Sequence, residues 1–238
     1  MDKKYLKQKR KKRRRPGKYP DKYSIKKAEN NIFILHACKI LNAYYTSEGI
    51  TALILDGEHM RTTNILLNLG KILKKLIIVE VNKSTYDLMK IKLASKNINN
   101  ITEIHNCLMD KYLENYLNPN INLVYFDLQE NFFSSTTSNG SDHAINFFLQ
   151  KSLVNEMIFA ATFCLRSIYE GNFDLEENKI LILLNKIFLV NGFKCRQLIL
   201  NNKMRYKGQR ALNKSLMFVL YKLTKIDEDK DEDNYNKN

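Results

Sequence analysis

Thr51–Asn82 reads TALILDGEHMRTTNILLNLGKILKKLIIVEVN, and the fold follows from it. Thr51 to Leu55 is a short apolar run that stops at Asp56-Gly57. Polar residues come next, then Ile65, Leu66, Leu69, Ile72 and Leu73 at helical spacing. A second apolar run, Leu76 to Val79, stops at Glu80. Apolar run, turn, amphipathic helix, apolar run predicts a βαβ unit, whose crossover sets its two strands parallel and side by side. The loop after the first strand and the acid ending the second then open on the same sheet edge. That edge is where doubly wound folds bind nucleotides, with a carboxylate reaching ribose hydroxyls. Asp56-Gly57 and Glu80, about 24 residues apart, are the first candidate site. The competing reading is a plain crossover with solvated strand ends, since a dinucleotide fingerprint carries more glycines.

Outward from this unit the pattern repeats. Ser24 is placed to cap a helix running to about Tyr44, with an apolar face of Ile25, Ala28, Ile32, Leu35, Ala37, Ile40 and Leu41. Lys83 or Ser84 opens another, with Leu88, Met89, Ile91, Leu93 and Ala94 as its apolar positions. Ile101 to His105 is a third strand, Asp110 to Leu117 a short helical piece, and Ile121 to Phe126 a fourth strand ending at Asp127. A Ser/Thr/Asn-rich loop leads to a helix from Ser141 to Leu153, a fifth strand from Glu156 to Leu165, and a helix from Leu175 to Val190. Two last strands, Phe193 to Leu200 and Leu212 to Lys222, are separated only by Asn201 to Ala211. That connection is too short for a crossover helix, so the pair is antiparallel. The expectation is one α/β domain over residues 24–225, with a Rossmann-like, doubly wound, mostly parallel sheet of about seven strands.

The chain has 238 residues, 44% of them hydrophobic, which suits one domain with a sizeable core plus tails. No apolar run approaches the roughly 20 residues a membrane span needs, so no membrane role is expected. The basic N-terminus has no apolar segment behind it and is not a secretory signal. Cys38, Cys107, Cys164 and Cys195 are scattered, as are His36, His59, His105 and His143. This pattern argues for reduced thiols in the nucleus or cytoplasm and against a metal site.

Net charge is +14. Lys3 to Arg15 reads KKYLKQKRKKRRR and ends at Pro16-Gly17. Such a block attracts polyanions through counterion release, or serves as a nuclear localisation signal; the alternative is a solvated tail. Residues 1–23 are accordingly expected to be a disordered basic arm that binds nucleic acid. Residues 226–238, with DEDKDED at Asp227 to Asp233, are expected to be a disordered acidic and Asn-rich tail.

Alternating β/α units, a leading helix and a closing antiparallel pair resemble the class I S-adenosylmethionine-dependent methyltransferase fold. The resemblance covers about Ser24 to Lys225 and rests on element order. It implies S-adenosylmethionine as cofactor. Leu55 to His59 (LDGEH) stands where that family has its glycine-rich cofactor loop, though Gly57 is its only glycine and Glu58, His59 and Met60 occupy positions usually small. Glu80 stands at the ribose-binding acid, Asn106 to Asp110 at the adenine-contacting loop, and Asp127 at the start of the acceptor loop. Asp56, Gly57, Glu58, Glu80, Leu108 and Asp110 are thus the implied cofactor-binding residues. The acids Asp56, Glu58 and Asp127 favour the cationic parts of that cofactor, and Glu80 can accept from both ribose hydroxyls. Leu108 or Cys107 could lie against adenine, or Leu108 could pack in the core.

The acceptor loop continues as Leu128-Gln129-Glu130-Asn131-Phe132-Phe133. Asp127, Glu130, Asn131 and Phe132 are the candidate catalytic residues: polar groups to orient or deprotonate an acceptor, and an aromatic face for an unstacked base. The loop lacks the prolines typical of base amino-methylating relatives and the cysteine of those that methylate cytosine carbon. A Lys-Asp-Lys-Glu set for ribose methylation lacks a closing Glu in the final strands. Three functions compete: a methyltransferase acting on nucleic acid, a catalytically inactive methyltransferase-like module that binds nucleic acid or a partner subunit, and a dehydrogenase-like Rossmann protein.

Overall fold

The computed structural model describes residues 21–44, 49–116, 118–127, 141–166, 173–199, 205–207 and 214–226. In chain order the elements are α1 (Asp21–Tyr44), β1 (Ile50–Leu55), α2 (Arg61–Leu66) running into a 3-10 turn (Leu67–Ile72), β2 (Leu73–Val79), α3 (Lys83–Ser95) and β3 (Thr102–His105). Then come α4 (Met109–Tyr116), β4 (Leu123–Asp127), α5 (Ser141–Lys151), β5 (Glu156–Arg166), α6 (Phe173–Val190), β6 (Phe193–Gln197), β7 (Arg205–Lys207) and β8 (Lys214–Lys225). The basic arm, the acceptor-loop residues Glu130, Asn131 and Phe132, and the tail beyond Ile226 lie outside the described residues.

The strands form one sheet in the order β3-β2-β1-β4-β5-β8-β6, with β7 added beside β8. β1 pairs in parallel with β2 and with β4, as the crossover requires. β8 is antiparallel to both β5 and β6. The closing antiparallel pair is therefore present, and the connection before β8 also holds β7, a strand the sequence pattern did not reveal. The central strands are buried on both faces, which explains their continuous apolar runs. On one face Phe126 and Phe159 meet Phe148 of α5 and Phe188 of α6. On the other, Tyr125 bonds Thr162 (3.0 Å) and packs edge-on to Phe218.

Several expectations are corrected here. The crossover helix does not reach Leu73. It tightens into a 3-10 stretch over Leu67–Ile72 that is kinked at Gly70, where φ is +58°. A side-chain-bearing residue disfavours that conformation. Leu73 consequently belongs to β2, which starts ahead of Leu76. Gly49 enters β1 at φ +87°, and a Cβ there would stand 2.6 Å from the Ile72 carbonyl, so glycine alone fits. In α3, Asn82 caps the first turn through Thr85 N–H (3.0 Å), and only Met89 and Leu93 of the expected face are buried; Leu88 and Ile91 are exposed.

The largest departure is α1. It begins at Asp21, ahead of Ser24, and its buried face is Lys27, Asn30, Asn31, Ile34, Ala37, Cys38 and Leu41. Ile32 and Ile40, expected inside, are outside. The polar half of this face lies at the end of the helix that reaches Asp127, the end of β4. The apolar half leads toward β1, and that end of the sheet is closed by Asn122, whose side chain bonds Thr51 N–H (2.8 Å) and the Gly49 carbonyl (2.9 Å).

Candidate functional site

Parallel strands β1, β2, β3 and β4 deliver their C-terminal ends to one edge, and the candidate residues arrive with them. Asp56 follows β1, Glu80 follows β2, Asn106 follows β3, and Asp127 ends β4.

Asp56 is 8% exposed. Its Oδ1 accepts from Gly57 N–H (2.9 Å) and its Oδ2 from Thr63 N–H (2.7 Å). Thr63 is in the first turn of α2, where backbone N–H groups have no helical partner. Met60, the residue at the usual cap position, contributes no side-chain cap and sits at φ +48°. Asp56 therefore caps α2 from a distance and folds the loop, with Met60 N–H to Gly57 O (2.8 Å) closing the turn. Burial pushes the Asp56 carboxyl above its ordinary value, against the pull of Thr63 N–H, Lys27 and Gly57 N–H.

Glu80 is half-buried. Asn82 N–H donates to its Oε1 (2.6 Å), and Val81 N–H bonds the same carboxylate. A carboxylate accepts about four hydrogen bonds, so acceptor capacity remains. Burial raises the Glu80 pKa; Asn82 N–H opposes this and the charge of nearby Asp56 adds to it. The two carboxyl groups thus sense one another across adjacent strand ends. Asn106 fastens the next loop to this one: its Nδ2 donates to the carbonyls of Glu80 (2.8 Å) and Val81 (3.1 Å).

Asp127 is paired with Lys27 of α1, and the side chains of both are nearly buried. Lys27 also acts on the charge of Asp56. It is the residue of this edge that sequence reasoning missed. A signal existed: Lys27, Asn30 and Asn31 continue into Ile34, Cys38 and Leu41 at one helical spacing. Asn31 accepts from the Thr62 hydroxyl (3.4 Å), which ties this face to the start of α2. The Nδ2 groups of Asn30 and Asn31 are buried and have no hydrogen-bond partner among the described residues.

The structure brings Asp56, Gly57, Glu80 and Asp127 to one edge, with Lys27 above them. Glu58 is turned outward, its carboxylate beside His59 (3.4 Å), while its carbonyl receives Lys92 of α3 (2.5 Å). Leu108 is 58% exposed rather than packed in the core. Asp110 lies in the first turn of α4, its pKa raised by burial and opposed by His143.

No family model matches the sequence, and no curated protein does. Solved structures are similar in fold. The methyltransferase domain of bacterial CtHen1-C aligns with TM-score 0.54 and 11% identity, over 85% of this chain and 100% of that one. A candidate RNA methyltransferase from Pyrococcus horikoshii aligns with TM-score 0.53 and 16% identity, over 83% and 82%. M. jannaschii TYW2, in complex with AdoMet, aligns with TM-score 0.50 and 13% identity, over 83% and 77%. The chain has the Rossmann-like fold of class I S-adenosylmethionine-dependent methyltransferases.

The edge suits that cofactor chemically. Glu80 keeps acceptor capacity of the kind that ribose hydroxyls require, and Asp56 and Glu80 are carboxyl groups within electrostatic reach of one another on this edge. A Cβ placed on Gly57 would meet no atom within 4 Å, so open space adjoins the loop.

Proposed function

We propose that this chain is an S-adenosylmethionine-dependent methyltransferase acting on nucleic acid. The observation that carries the reading is the gathering of Asp56, Glu80 and Asp127 on one edge of a methyltransferase-type sheet. When bound, the cofactor supplies a methyl group activated by its sulfonium.

The chain's own groups do the rest. Glu80 accepts from the ribose hydroxyls, and Asn106 holds the backbone that carries Glu80. Asp56 shapes the loop and lends charge, Gly57 leaves room, and Glu58 adds to the negative field. Leu108 offers an apolar side to adenine, with Asp110 behind it. At the acceptor, Asp127 orients the incoming group and takes its hydrogen bond or proton. Lys27 pairs with that carboxylate and holds it in place. Glu130, Asn131 and Phe132 follow Asp127 after Leu128 and Gln129 in sequence and complete the acceptor set. The arm Lys3 to Arg15 supplies electrostatic attraction to nucleic acid. Scattered cysteines and the basic arm support a nuclear or cytoplasmic setting.

One observation favours the second reading, an inactive methyltransferase-like module binding nucleic acid or a partner subunit. Met60 holds a left-handed conformation in a loop with a single glycine, and Glu58 and His59 crowd its outer side. Titration calorimetry with S-adenosylmethionine and with NAD separates the readings. Micromolar binding of the first and none of the second is expected; no binding of either supports the inactive module, and NAD binding the dehydrogenase.

A further inference from the structure

From β1 the sheet runs one way through β2 to β3 and the other way through β4 to β5. The strand order therefore reverses between β1 and β4, and open α/β sheets bind ligands in the crevice outside such a switch point. Asp56 and Asp127 stand on its two sides, one at the end of each strand. The buried face of α1 spans it. Lys27 bonds Asp127 on the β4 side. Asn31, one turn later, accepts from the hydroxyl of Thr62 in the first turn of α2, on the β1 side. Asn30 shares that buried face.

Asn30 and Asn31 are each 1% exposed, and the Nδ2 of each has no hydrogen-bond partner among the described residues. A buried donor left unpaired costs about 1–3 kcal/mol, so two on one helix face at a switch point call for a ligand. Their chemistry narrows its class. A carboxamide nitrogen donates and carries no charge. The nearest charges are the carboxylates of Asp56 and Asp127 and the ammonium of Lys27, which is paired with Asp127. Two carboxylates against one ammonium disfavour a phosphate and suit a neutral acceptor such as a ring nitrogen. Lys27 bonds Oδ2 of Asp127, and a carboxylate accepts about four hydrogen bonds, so capacity remains for an amino N–H. An amino donor beside a ring acceptor is the edge of adenine and of cytosine, whereas uracil presents a carbonyl where cytosine has its amino group.

We infer that Asn30 and Asn31 are base-reading residues, whose Nδ2 groups donate to the ring nitrogen of an unstacked adenine or cytosine while its amino group meets Asp127. The inference deepens the proposed function and rests on that reading for the nucleic-acid substrate. The base enters beneath the half of α1 that carries Lys27, Asn30 and Asn31. Polar contacts seat that half, whereas Ile34, Ala37, Cys38 and Leu41 seat the other half in the core. The half that covers the switch point is thus the half that lifts with little apolar surface exposed.

The test uses the full chain and labelled single-stranded RNAs of one length: all uridine, or the same strand with a central adenine or a central cytosine. Affinities are measured with and without S-adenosylhomocysteine. The wild-type chain should bind a substituted strand about tenfold tighter than the uridine strand, the share of one good base-edge contact. Asn30→Leu removes an unpartnered donor at nearly equal volume, so its melting temperature should hold or rise. It should lose the discrimination while its affinity for the uridine strand stays within about twofold. Asn31→Ala should lose the discrimination too, and it carries the test if the first variant misfolds. Discrimination kept in the variants that fold overturns the inference, as does wild-type protein that fails to discriminate under either condition. A separate titration with S-adenosylmethionine keeps the two ideas distinct. Discrimination without cofactor binding leaves the base site standing and removes the methyltransferase reading; cofactor binding without discrimination does the reverse.

Discussion

Lys27 of the leading helix and Asp127 at the end of β4 form an ion pair across 100 residues of chain, with side chains only 10% and 6% exposed. The pair ties α1 to the end of β4 and sets a cation beside the carboxylates of that edge. Asp56 lies within its electrostatic reach.

Removing one member of a buried pair leaves the other charged and unpartnered, which costs about 3–5 kcal/mol, whereas replacing both by apolar groups is often neutral. Lys27→Met should therefore lower unfolding free energy by about 3 kcal/mol in denaturant titrations. Lys27→Met/Asp127→Leu should regain most of it. A loss well under 1 kcal/mol in the single variant would show that the pair is solvated and does not anchor α1.

Glu80 is the test of the cofactor site. Losing two charge-assisted hydrogen bonds in Glu80→Ala should weaken S-adenosylmethionine binding by about 2–4 kcal/mol, and an unchanged affinity removes Glu80 from the site. Burial raises the pKa of both Asp56 and Glu80, and each adds to the native state's hold on protons. Their contribution to stability is present at pH below the ordinary carboxylate range and is lost as pH rises through their raised values. Attraction for a sulfonium needs them ionised, so cofactor affinity should rise over the same window. Thermal melts and calorimetry across that window should move in opposite directions.

Deleting Lys3 to Arg15 should reduce nucleic-acid affinity and flatten its salt dependence, since fewer counterions are released. The melting temperature is expected to stay nearly constant. An identical salt slope with and without the arm would mean that nucleic acid is held elsewhere.

The acceptor loop is tested by Asn131→Ala and Phe132→Ala. Each should lower turnover on a nucleic-acid acceptor while cofactor affinity stays within about threefold, because the cofactor is bound by other strand ends. A base resting on Phe132 would account for about 1–3 kcal/mol of acceptor binding. Full methyl transfer in both folded variants would move the acceptor site off this loop.

The sequence by itself determined the sheet. Continuous apolar runs ending in Asp56, Glu80 and Asp127 marked strands buried on both faces. The short connections limited how they could join, so parallel order, a common open edge and a closing antiparallel pair were all legible from local pattern. It also placed three acids on that edge, because a strand end is a property of the segment that contains it. Only the tertiary structure decided which residues of α1 face inward. Helical periodicity selected Ile32 and Ile40, but the buried face carries Lys27, Asn30 and Asn31. The helix covers the polar edge of the sheet at that end, and a buried cation there is matched by an acid 100 residues away. No local rule contains that partner. The same holds for Arg166 and Lys214, two unremarkable strand ends in sequence that become neighbours only through the register of β5 and β8.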